Sequence, residues 1–125
     1  MIKILIVDDS RLFRERLKVF LVEYPEVSVV GEAWEGQAAL IKARELKPDL
    51  VLMDVKMGDT NGLDVTMRLK GEFPDIKVII LSIYELEAYR RAAETVGASA
   101  YVTKKELVDE LIPAIRLVMQ INQSE

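Results

Sequence analysis

The chain has 125 residues, half of them apolar, enough for one domain with a single core. Seventeen basic against 21 acidic side chains leave a net charge of −4, which argues against a basic nucleic-acid-binding face on this segment. Cys and His are absent, which excludes disulfides, thiolate and imidazole metal ligands, Ser-His-Asp and Cys-His catalysis, and a histidine phosphoryl carrier on this chain.

In chain order, the apolar run Ile4-Leu5-Ile6-Val7 reads as a buried strand and ends at Asp8-Asp9. Phe13, Leu17, Phe20 and Leu21 follow the spacing of a one-sided helix. Val27-Ser28-Val29-Val30 is the second strand. Ala39, Ala43 and Leu46 mark a second helix, closed by Pro48. The third strand, Leu50-Val51-Leu52-Met53, ends at Asp54, and Leu63 and Met67 mark a third helix ending near Gly71 to Pro74. Val78-Ile79-Ile80-Leu81 is followed by Ser82. Ala88, Ala92 and Val96 give a fourth helix, with Gly97 placed as its C-terminal cap. Ala100-Tyr101-Val102-Thr103 is followed by Lys104. Leu107, Leu111, Ala114, Ile115 and Val118 mark a fifth helix. Pro113 lies inside it and removes one hydrogen bond, so a kink or a start beyond Lys105 is expected. The domain is expected over residues 1–121, with 122–125 the start of a linker or a frayed tail.

The strands are apolar on successive residues, so both faces of the sheet should be covered by helices. Right-handed crossovers then give an α/β three-layer sandwich, a flavodoxin-like (βα)5 fold with a parallel sheet in the order 2-1-3-4-5. The first and third strands are neighbours in that order, and the topology reverses between them. Ligands bind beyond the carboxyl ends of the strands at such a point. Asp8, Asp9 and Asp54 fall there, joined by Ser82 and Lys104 from the flanking strands. Each has an ordinary reading when taken alone: Asp8, Asp9 and Ser10 as helix caps, Asp54 as a loop acid, Lys104 as a solvated cation. Together they make a site of carboxylates and one lysine, suited to a hard divalent cation such as Mg²⁺ and a phosphoryl group.

Ile4 to Asp9, Asp49 to Asp54, Met57 to Gly62, Ser82, and Gly97 to Lys104 carry a resemblance to the receiver domain of two-component response regulators, over essentially the whole chain. Val30-Gly31-Glu32-Ala33 and the region of the fifth strand are most similar to the nitrate-regulator-like (NarL/FixJ) branch. The resemblance implies that Asp54 accepts a phosphoryl group from the phosphohistidine of a sensor histidine kinase. Asp9 and Asp54 would bind Mg²⁺ (or Mn²⁺) directly, Asp8 mostly through water, and Lys56 through its backbone carbonyl. Lys104 would supply the remaining positive charge; it lies three residues after Tyr101, as the family's aromatic-x-x-Lys pattern requires. Ser82 and Tyr101 would form the switch. Ser82 moves to the new phosphoryl oxygens, Tyr101 swings inward, and the face of the fourth helix, fifth strand and fifth helix changes shape. Such a protein is no enzyme in the ordinary sense, since it catalyses only its own phosphorylation and dephosphorylation. The branch usually continues into a C-terminal helix-turn-helix DNA-binding domain. A phosphorylation-dependent homodimer is also implied, with Arg90, Arg91, Ile112 and Arg116 as candidate surface residues. No direct nucleic-acid contact by this segment and no membrane contact are expected. No apolar run approaches the length of a membrane span and no signal pattern opens the chain, so a cytoplasmic location is expected.

Three positions depart from the family pattern. Gly58 replaces the usual proline after Met57 and should loosen that loop. Ile83 follows the switch hydroxyl where a small residue is usual. Lys105 follows Lys104 where many receivers carry a cis proline, so no cis bond is expected. An aspartyl phosphatase of the haloacid-dehalogenase type needs a second Asp two residues after its nucleophile, and Lys56 occupies that place. A single-domain receiver acting by protein contact is the alternative to a receiver with an output domain, and a degenerate receiver that only docks partners would lack part of the set Asp8, Asp9, Asp54, Ser82 and Lys104.

Overall fold

The computed structural model describes residues 1–120. Five parallel strands form the main sheet: β1 (Ile2–Val7), β2 (Val27–Ala33), β3 (Leu50–Met53), β6 (Lys77–Ser82) and β7 (Ala100–Thr103). Their order is β2-β1-β3-β6-β7. This is the expected flavodoxin-like order; the numbering shifts because a short antiparallel hairpin, β4 (Lys56–Met57) and β5 (Thr60–Asn61), intervenes. The helices are α1 (Arg11–Leu21), α2 (Gly36–Leu46), α3 (Gly62–Glu72), α4 (Glu87–Thr95) and α5 (Leu107–Val118).

Alternate residues of each central strand feed two separate cores. Ile4, Ile6, Leu50, Leu52, Ile79 and Leu81 pack with Leu17 and Leu21 of α1 and with Leu111, Ile112 and Ile115 of α5. Leu5, Val7, Val51, Met53, Val78 and Ile80 pack with Ala39, Leu40 and Ala43 of α2, Val65 and Leu69 of α3, and Ala93 of α4. Every residue of β3 is buried, which explains why its apolar run does not alternate.

Four local features refine the sequence reading. β2 runs on to Ala33, three residues past the apolar run, because the register shifts between Ile4 and Leu5 and lets Gly31, Glu32 and Ala33 pair with β1. Lys47, at φ 49, ends α2 and leaves Pro48 outside it. Gly97, at φ 99, follows α4 as the expected cap. A 3₁₀ turn (Lys104–Glu106) precedes α5, which therefore starts beyond Lys105 and continues through Pro113. No cis peptide bond occurs among the described residues. The expected tail, 122–125, lies outside them.

Two glycines shape the loop after Asp54. Gly58 takes φ 57 in the two-residue turn between β4 and β5. A proline, fixed near −65°, cannot occupy this conformation. Proline is therefore excluded from this turn, and glycine takes the positive φ at least strain. Gly62 opens α3 against the Asp54 backbone, and a Cβ there would collide with the Asp54 carbonyl. Relief would need movement of backbone that is paired into the sheet. Gly62→Ala is expected to cost about 3 kcal/mol or more, the upper range for overpacking. Urea denaturation compared with Gly71→Ala, an open helical site, would check this.

Candidate functional site

The carboxyl ends of β1 and β3 hold the acids in place through their own backbone. The Asp8 N–H donates to the Ala33 carbonyl at 3.0 Å, and the Asp54 N–H donates to the Val7 carbonyl at 2.9 Å. Asp8 and Asp54 thus extend the sheet's hydrogen bonding by one residue past each strand. Asp9 is exposed, while Asp8 and Asp54 are buried. One carboxylate oxygen from each of Asp8, Asp9 and Asp54 lies within 4.8 Å of the others. This set of hard oxygen donors fits a divalent cation that prefers oxygen ligands.

Lys104 reaches the acids from the end of β7. Its Nζ is 2.7 Å from Asp8 Oδ2 and 3.7 Å from Asp54 Oδ2. The other Asp8 oxygen accepts the Ser10 N–H at 2.9 Å, and Asp54 Oδ1 accepts the Val55 N–H at 2.9 Å. Ser10, rather than Asp8 or Asp9, caps α1: its Oγ accepts the Phe13 N–H. Lys105 is exposed, so Lys104 is the lysine at the site. Burial pushes the Asp54 carboxyl up to about 6, with the Asp8 charge adding to the effect and Lys104 opposing it.

A pocket of about 350 Å³ opens over these groups, lined by Asp8, Asp9, Ser10, Asp54, Lys56, Gly58, Ile83, Tyr84 and Lys104. Ile83 stands at its rim, 67% exposed. Ser82 and Tyr101 are not among the lining residues. Ser82 is fully buried, and its Oγ accepts the Tyr84 N–H at 3.0 Å. Tyr101 is half-buried, and its Oη donates to the Tyr84 carbonyl at 2.6 Å. The Arg90 guanidinium lies 5.0 Å from the Tyr101 ring centroid. Burial pushes the Tyr101 phenol up. The backbone of Tyr84 therefore links the two expected switch residues, a role that no sequence signal assigned to it.

Sequence reasoning missed other supports. Arg14 donates from Nη1 to the Asp8 carbonyl at 2.7 Å and from Nε to Glu32 Oε1 at 2.9 Å. Lys18 holds the second Glu32 oxygen at 2.7 Å. Lys18 and Arg14 together hold the Glu32 carboxyl below the usual range. The Phe13 ring lies beneath the Lys104 ammonium, with Nζ 4.0 Å from its centroid. The helical spacing of Phe13 signals only a core face, and nothing local in the chain pairs Arg14 with Glu32. One of the surface candidates needs correction: Ile112 is 4% exposed and belongs to the α5 core stripe. Arg91 is exposed, while Arg90 and Arg116 are partly exposed, Arg90 against the Tyr101 ring and Arg116 paired with Glu26 at 2.8 Å.

Comparison with known proteins agrees with this geometry. The family profile described as the response regulator receiver domain matches residues 4–116. The response regulator GacA of Pseudomonas syringae pv. syringae is 43% identical over 118 residues, covering 94% of this chain and 55% of that protein. The transcriptional regulatory protein DegU of Brevibacillus brevis is 40% identical over 119 residues, covering 95% of this chain and 50% of that protein. Among solved structures, a two-component response regulator of the LuxR family from Aurantimonas sp. SI85-9A1 superposes with a TM-score of 0.92 at 29% identity, covering 96% of this chain and 86% of that one. The chain belongs to the response regulator receiver domain family. It spans about half the length of the curated relatives it matches.

The raised Asp54 value makes stability depend on pH. The unfolded chain loses this proton near 3.8, the folded protein near 6, so ionisation opposes folding. Stability should therefore fall as pH rises through this window, by about 3 kcal/mol at most at 1.36 kcal/mol per pH unit. In EDTA, Asp54→Asn is expected to be more stable than wild type at pH 8, with the gap closing near pH 4. Mg²⁺ should reverse the order at pH 8. Chemical denaturation at the two pH values checks each part.

Proposed function

We propose that this chain is a phosphorylation-operated signalling switch in which Asp54 is the phosphoacceptor and the phosphohistidine of a sensor histidine kinase is the donor. The observation that carries the reading is the buried Asp54 carboxylate, within 4.8 Å of two further acids and with Lys104 Nζ 3.7 Å from its Oδ2. Asp8, Asp9, Asp54 and the Lys56 backbone carbonyl would hold Mg²⁺ or Mn²⁺. When bound, the cation supplies positive charge against the acids and the transferring phosphoryl oxygens.

Asp54 Oδ1 is engaged by the Val55 N–H, which leaves Oδ2 the freer nucleophile. An Asp54 oxygen attacks phosphorus and forms an O–P bond, giving an acyl phosphate. The N–P bond breaks with its electron pair passing to the imidazole nitrogen, which is reprotonated by water. Lys104 stabilises the charge on the phosphoryl group. The acyl phosphate carries about −1.5 to −2 charges in place of the carboxylate's single charge, and it brings new acceptor oxygens near the end of β6. Ser82 Oγ turns to these oxygens and releases the Tyr84 N–H, and the loop that also holds Tyr101 Oη moves with it. The α4–β7–α5 face carries the change to a partner. A tenfold change in population needs only about 1.4 kcal/mol between the two states.

The chain acts on itself rather than on a turned-over substrate. The name of the transcriptional regulatory protein DegU supports an output in transcription; a DNA-binding domain attached to the receiver and a cytoplasmic setting complete the reading. Phosphorylation-dependent pairing of two receivers accompanies it. No helix among the described residues is long and apolar enough to cross a membrane, in keeping with this setting.

Incubation with acetyl phosphate and Mg²⁺ followed by intact mass spectrometry tests the reading. One added phosphoryl group is expected on the wild type, and none without Mg²⁺ or in Asp54→Asn. Absence of an adduct on both the wild type and Ile83→Ala would overturn the phosphoacceptor reading in favour of a docking module. The branched side chain at the pocket rim restricts attacking water. Phosphorylated Ile83→Ala is therefore expected to lose phosphate severalfold faster than wild type. An equal or slower loss would refute this role for Ile83.

A further inference from the structure

The Lys104 ammonium is held on two sides. Asp8 Oδ2 stands 2.7 Å from Nζ, while the face of the Phe13 ring lies 4.0 Å away, measured to its centroid. Asp54 Oδ2 is farther off, at 3.7 Å. A lysine stem is flexible and its ammonium is a point charge with three rotatable donors. Asp8 is buried and strongly placed, so the Asp8 pair alone would draw the ammonium toward β1 and away from Asp54. The negative face of an aromatic ring attracts a cation without neutralising it or taking its proton. Phe13 is itself fixed. It follows the α1 cap at Ser10 and packs against the core cluster that includes Leu17 and Leu107.

We propose that Phe13 is a positioning residue for Lys104: the ring face at 4.0 Å holds the ammonium between Asp8 and Asp54 and so within reach of the phosphoacceptor. The proposal rests on the phosphoacceptor reading of Asp54. A hydrophobic residue at this place would fill the space but leave the lysine free to settle on Asp8 or to turn toward water. Phe13 then contributes to the rate of phosphorylation through Lys104, without touching the phosphoryl group.

Two measurements test it, one of them independent of phosphorylation. A proton above a ring face is shifted upfield in NMR. The Lys104 side-chain Hε signals are expected upfield in the wild type and near ordinary lysine positions in Phe13→Leu. The second measurement replaces Phe13 by phenylalanines with increasing ring fluorination, which drains charge from the ring face at almost constant shape. The rate of Mg²⁺-dependent labelling by acetyl phosphate is expected to fall stepwise along the series, within the roughly 2- to 30-fold range that such contacts support. Phe13→Tyr should restore the wild-type rate. Unshifted Lys104 signals, or a flat fluorine series with labelling intact, would overturn the proposal and leave Phe13 a packing residue. An upfield Lys104 signal in a wild type that takes up no phosphoryl group would instead overturn the phosphoacceptor reading while leaving the Phe13–Lys104 contact standing.

Discussion

Backbone hydrogen bonding holds like charges together at one end of this sheet. Asp8 and Asp54 continue the ladders of β1 and β3 by one residue, so their main chains cannot retreat from each other. Their carboxylates, with that of Asp9, converge within 4.8 Å. The repulsion has to be relieved by charge rather than by movement. Lys104 supplies part of the relief, at 2.7 Å from Asp8, while burial, with the Asp8 charge adding to it, still holds the Asp54 carboxyl above the usual range. A cluster of hard oxygen donors and a buried carboxyl with a raised pKa both follow from this placement.

The surrounding residues divide between those that fix the constraint and those that respond to it. Gly62 lets α3 begin directly against the Asp54 carbonyl. Arg14 holds the Asp8 carbonyl and is itself braced by Glu32 on the edge strand. These contacts tie α1, β2 and α3 to the acids. On the other flank, Ser82 and Tyr101 both hold the backbone of Tyr84, in the loop between β6 and α4. A charge that competes for the Ser82 hydroxyl therefore loosens the same loop that anchors Tyr101. Coupling through one residue's N–H and carbonyl is a short physical path between the Ser82 hydroxyl and the α4–β7–α5 face.

Two of the departures from the family pattern acquire a structural meaning. Gly58 occupies the first position of a two-residue hairpin turn with positive φ, so the loop after Asp54 has a defined shape in place of the one a proline would impose. Ile83 lines the pocket beside Asp54 and Lys104 and is largely exposed there.

Unbroken apolar runs such as Leu50 to Met53, alternating with helical periodicity, determine a parallel sheet covered on both faces, because only that arrangement buries every residue of a strand. The strand order then places Asp8, Asp9, Asp54, Ser82 and Lys104 at one edge, and these positions were legible from spacing alone. Contacts across the chain were not. β2 extends through Gly31 and Glu32 because pairing with β1 overrides their poor strand character. Ile112 is core rather than surface because the rotation of α5 about its axis is set by packing. Phe13 meets Lys104, and Arg14 meets Glu32, across separations that leave no local signal. The sequence by itself determined which chemical groups stand at the strand ends, since chain direction and hydrophobic burial fix them. Only the tertiary structure decided how those groups are charged, braced and linked, because these depend on distances between segments remote in the chain.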